Sequence, residues 1–83
     1  MPDWRWGCDP DDLLDDLDST VRDQVERLAR EITVRDSMVY LDGATYTGVG
    51  PGLRAESRGN LMLTYLTDIR GQQIVIVQVT WFG

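Results

Sequence analysis

A chain of 83 residues makes one domain with a small core, and its hydrophobic fraction of 42% with three Trp favours folding over disorder. No apolar run approaches the roughly 18 residues of a membrane span, so no membrane contact is expected. The absence of His with a single Cys removes histidine-based hydrolase triads, internal disulfides and Cys-based zinc sites, and no cofactor or metal is expected.

The net charge of −6 is uneven. Residues 1–18 carry seven Asp against Arg5, while the rest of the chain balances seven Arg against seven acids. A neutral body without a basic stripe is a poor non-specific binder of nucleic acid. No secretory pattern opens the chain, so a cytoplasmic protein is expected.

In chain order, Trp4-Arg5-Trp6 reads as a short first strand or as a pair of anchoring aromatics. Asp9 suits an N-cap, Pro10 a first helical position, and Asp11 and Asp12 the positive end of a helix dipole. A short helix is expected there, with Leu13, Leu14 and Leu17 as its apolar stripe. Asp18 or Ser19 caps a second helix over about 19–34, whose core stripe is Val21, Val25, Leu28, Ala29 and Ile32. Ser37 to Leu41 reads as an apolar, extended connector, and a crossing loop occupies about 42–52, where Pro51 forbids a helix.

Three runs then form an antiparallel β-meander over 53–82. Leu53 to Arg58 alternates small or apolar with charged residues and reads as an exposed or edge strand. Leu61 to Thr67 is flanked by turn residues, and Ile74 to Val79 is nearly continuous and β-branched, as a central strand would be. The fold class expected is α+β: two N-terminal helices packed on one face of a three- or four-stranded antiparallel meander.

Gly52-Leu53-Arg54, Leu63-Thr64-Tyr65 and the apolar run from Ile74 to Phe82 together resemble the RelE/ParE toxin superfamily, including its HigB branch, over about Leu13 to Phe82. The resemblance implies a toxin of a type II toxin-antitoxin module that acts on translation or by binding a protein target, with an antitoxin as partner. RNA is a partner only if the cleaving reading holds. The candidate catalytic residues it leaves are Arg54, Arg58 and Tyr65; Met62 stands where the family often has Arg, and the family's C-terminal basic or aromatic tail has no counterpart. Enzyme activity therefore stays open. The alternative is a non-catalytic protein-protein interaction module with an acidic N-terminus. Helices on one sheet face leave the other bare, so a partner or a second copy is expected there, with Trp81, Phe82, Val77 and Val79 as its contacts.

Overall fold

The computed structural model describes residues 4–83, so Asp3 of the acidic stretch lies outside the described residues. Its elements are β1 (Arg5–Cys8), α1 (Ser19–Val39), a 3-10 turn (Gly43–Thr45), β2 (Leu53–Arg58), β3 (Leu61–Asp68) and β4 (Gln73–Trp81). The four strands form one sheet in the order β1-β4-β3-β2. β2, β3 and β4 are successive antiparallel neighbours, and β1 runs parallel to β4.

Two expectations are corrected. Among the described residues there is one α-helix rather than two, and the sheet is mixed rather than a pure antiparallel meander. Residues 11–17 form consecutive turns closed by three-apart bonds, such as Leu13 N to the Pro10 carbonyl and Leu17 N to the Leu14 carbonyl. Asp is a poor helix former, and these carbonyls have another donor: Arg22 Nη2 reaches those of Leu14 at 2.8 Å and Asp15 at 3.1 Å. The leucines still turn inward, and Leu13, Leu14 and Leu17 pack against the core.

Asp18 caps α1, accepting from Thr20 N at 3.1 Å. The expected stripe is its buried face, but the helix continues to Val39, past the end near Val34 that the sequence suggested. Its inner face changes chemistry on the way. Val21, Val25, Leu28, Ala29 and Ile32 give place to Thr33, Asp36 and Ser37, all buried. Thr33 and Ser37 return their hydroxyls to the Ala29 and Val34 carbonyls, and Asp36 reaches across to the sheet.

The helix covers one face of the sheet, where Leu61, Leu63, Tyr65, Ile74 and Ile76 close the core, joined by Trp6 and Cys8 from β1. An irregularity between Thr64 and Tyr65 pairs Tyr65 with Ile76 but Thr64 with Gln78, leaving Val77 without a partner of its own on β3. The β4 alternation therefore changes phase: Val79, paired with Leu63, packs on the same core as Ile74 and Ile76. β2 and β3 are joined through Gly59, whose φ of +59° is the left-handed backbone that a two-residue hairpin demands. At the far end of α1, Tyr40 stacks on Trp4 with centroids 6.5 Å apart and meets Tyr46 edge-on at 5.9 Å.

Candidate functional site

β2 and β3 bring two of the three candidate catalytic residues together. Arg54 and Tyr65 are register partners, and the Arg54 guanidinium lies 5.6 Å from the centre of the Tyr65 ring. Both face the C-terminal half of α1, which supplies Arg35 and the buried Asp36. Asp36 is the hub. Its carboxylate accepts from Thr67 Oγ1 at 2.9 Å and lies 3.6 Å from Arg54 and 3.7 Å from Arg35. Arg35 also donates to Glu56 at 3.1 Å and to the Tyr65 hydroxyl at 2.9 Å.

The third candidate, Arg58, stands four residues further along β2 and pairs with Glu31 of α1 instead. It lies outside the cluster. Arg54, Glu56 and Arg58 alternate with outward residues on β2 and share the helix side, as four-residue spacing on a strand requires.

Charge in the cluster is compensated: two guanidiniums, Arg35 and Arg54, face two carboxylates, Asp36 and Glu56. The phenol of Tyr65 is pushed above its ordinary value by burial, which outweighs the opposing pull of Arg54 and Arg35. Arg35 is held charged, its burial offset by the bond to Glu56 and by Tyr65, Glu56 and Asp36 nearby. The arrangement can fix a strand edge to a helix and present two half-exposed guanidiniums. It supplies neither an unpaired base nor an excess of positive charge for a phosphate.

Of the residues expected to contact a partner, Val79 is packed against the core and Val77 is half-buried. Trp81 and Phe82 are 39% and 65% exposed. Trp81 pairs with the buried Leu61, which places it on the helix side of the sheet, and Phe82 N donates to the Asn60 carbonyl at 2.8 Å. The opposite sheet face presents Leu53 and Leu66 instead, 64% and 40% exposed.

Cys8 is half-buried, and burial with Asp11 nearby pushes its thiol up, away from the reactive thiolate form. No helix is long and apolar enough to cross a membrane, and no group of three or more Cys, Asp or Glu side chains suited to a metal ion occurs among the described residues.

Sequence reasoning missed Arg35, Asp36 and Thr67. The signal for Asp36 was present: it lies four residues beyond Ile32 and eight beyond Leu28, on the buried stripe, where a carboxylate requires partners. No family model matches this chain, and neither does any curated protein or solved structure.

Proposed function

We propose that this chain is a toxin-like protein of the kind the RelE/ParE resemblance implies, acting by binding a protein target rather than by cleaving RNA. One observation carries the reading. Arg54 and Tyr65, which the resemblance marks on two different strands, meet across the β2–β3 pair, but within a cluster whose charges cancel. A nuclease needs groups that take a proton from a 2′-hydroxyl and neutralise a pentacoordinate phosphate. Here Arg35 and Arg54 are each held by a carboxylate, and the Tyr65 hydroxyl sits beneath Arg35.

On this reading the protein works in the cytoplasm beside an antitoxin, and RNA is not its partner. The test is induced expression with and without a short neighbouring gene encoding a DNA-binding antitoxin, whose presence beside this gene is itself expected on this reading, followed by gel analysis of cellular transcripts. Growth arrest that the neighbour relieves, with transcripts intact, is the expected result. Transcripts cut during arrest would refute binding as the mode of action.

The single long α1, in place of a helical hairpin, favours a second reading: an interaction module outside any toxin system. Wild-type expression without arrest would select it.

A further inference from the structure

The outer face of α1 has a charge pattern unlike the rest of the molecule. Residues 27, 30, 31, 34 and 38 recur at three- and four-residue steps, on the side away from Val25, Leu28, Ala29 and Ile32. Val34 and Met38 are its apolar centre, 45% and 68% exposed. Arg27, Arg30 and Arg35 rim a shallow groove of about 600 Å³ around them. A second groove of about 370 Å³ continues toward the N-terminal end of α1, sharing Arg27 and Glu31, with Leu28 and Leu61 at its base and Arg58 on its far wall.

Four arginines and one carboxylate therefore line this surface, and Arg58 already engages that carboxylate, Glu31. Arg35 is turned to Glu56. Arg27 and Arg30 are exposed and make no ion pair among the described residues. On a chain of net charge −6, the linings of these two grooves carry four Arg and one Glu around an apolar middle, with Asp23 and Glu26 one turn before Arg27 and Arg30 on the helix.

We infer that this face of α1 docks an acidic, amphipathic helix of a partner protein, apolar side chains on Val34 and Met38 and carboxylates against Arg27 and Arg30. The inference rests on the reading that the chain acts by binding a protein, and it adds the face and the chemistry of the partner. Two helices packed side by side bury residues at three- and four-residue steps, which is the spacing displayed. From Gln24 to Met38 the surface runs about 21 Å at 1.5 Å per residue, room for a partner helix of about four turns. The acidic residues 9–18 of a second copy match the charge but not the apolar centre, because Leu13, Leu14 and Leu17 are already packed on their own core.

The experiment uses the full chain and a fluorescein-labelled synthetic helix with leucines on one face and glutamates beside them. A second helix has lysine at every glutamate. Anisotropy is read at about 50 and about 300 mM salt, on either side of physiological screening. The glutamate helix should bind wild type and weaken severalfold or more at the higher salt, while the lysine helix should not bind. Arg27→Glu with Arg30→Glu should weaken the glutamate helix about tenfold or more and admit the lysine helix, and Met38→Ser should weaken the glutamate helix severalfold. These positions are exposed, and far-UV circular dichroism checks that the variants fold.

Equal binding of both helices, no binding of either to the folded chain, or an unchanged affinity in the double charge reversal would overturn the inference. A reversible wild-type dimer in sedimentation, lost in that variant, would also overturn it by making a second copy the occupant. Growth arrest that persists in the charge-reversed variant refutes this face alone; a wild-type chain that causes no arrest refutes the toxin reading, and the anisotropy titrations still decide this face.

Discussion

Replacing Asp36 with Ala removes the hub that joins α1 to β2 and β3, and its cost can be worked out from the partners left behind. Thr67 and Asp36 are both buried, so the lost hydroxyl-carboxylate bond is worth about 1–2 kcal/mol. Removing one member of a fully buried ion pair costs about 3–5 kcal/mol. Here Arg54 and Arg35 are 33% and 41% exposed and 3.6 and 3.7 Å away, so water can reclaim them and the ion-pair contribution falls to about 1 kcal/mol. The sum is about 2–3 kcal/mol, a drop in Tm of roughly 10–20 °C for a domain of this size. Urea unfolding followed by circular dichroism and Trp fluorescence measures it. Asp36→Asn should cost about half as much, because an amide oxygen still accepts from Thr67. A double-mutant cycle with Arg54→Ala should return a coupling of about 1 kcal/mol. If Asp36→Ala lies within about 0.5 kcal/mol of wild type, the hub does not hold helix to sheet and the reasoning fails.

Tyr65 gives an alkaline limb to stability. Its folded-state pKa is raised by burial, so its contribution is complete below the unfolded value of about 10 and is lost as pH climbs through the folded value; Tyr65→Phe should flatten that limb in urea titrations. Asp68 gives the acid counterpart. Its pKa is lowered by the bonds from Gln73 and from Gly71 N, so its contribution is present above the unfolded value of about 3.9 and disappears as pH falls through the folded value. A Cβ at position 71 would fall on the Asp68 carboxylate, so Gly71→Ala should push it aside and shrink the acid dependence; an unchanged acid limb in that variant would show that the turn is not its source.

β2, β3 and β4 are legible in the sequence because each depends on local information: alternation or a β-branched run, bounded by residues that turn. The interior place of β4 and the edge place of β2 follow from the same patterns. Three features escape for physical reasons. Asp9 to Leu17 carries a cap, a proline and leucines at helical spacing, yet its carbonyls serve Arg22, which no local pattern displays. The end of α1 is hidden because its inner face turns polar at Thr33, Asp36 and Ser37, so the apolar periodicity stops before the helix does. The β4 irregularity moves Val79 to the side of Ile76, which simple alternation cannot foresee. The site shows the same division: Arg54 and Tyr65 come from strand registers that can be read, whereas Asp36 is a contact between residues 31 positions apart.

The parallel pairing of β1 with β4 has a consequence for how the chain is made. Arg5 finds its neighbour at Gln73, so the first strand leaves the ribosome 68 residues before the strand that receives it. At about 5–20 residues per second, that is several seconds during which Trp6 and Cys8 have no sheet to join. A chain cut short before β4 would leave β1 unmatched, β3 with a bare edge and α1 without Ile74 and Ile76 beneath it. Products that end before β4 should therefore be cut by proteases faster than the full chain.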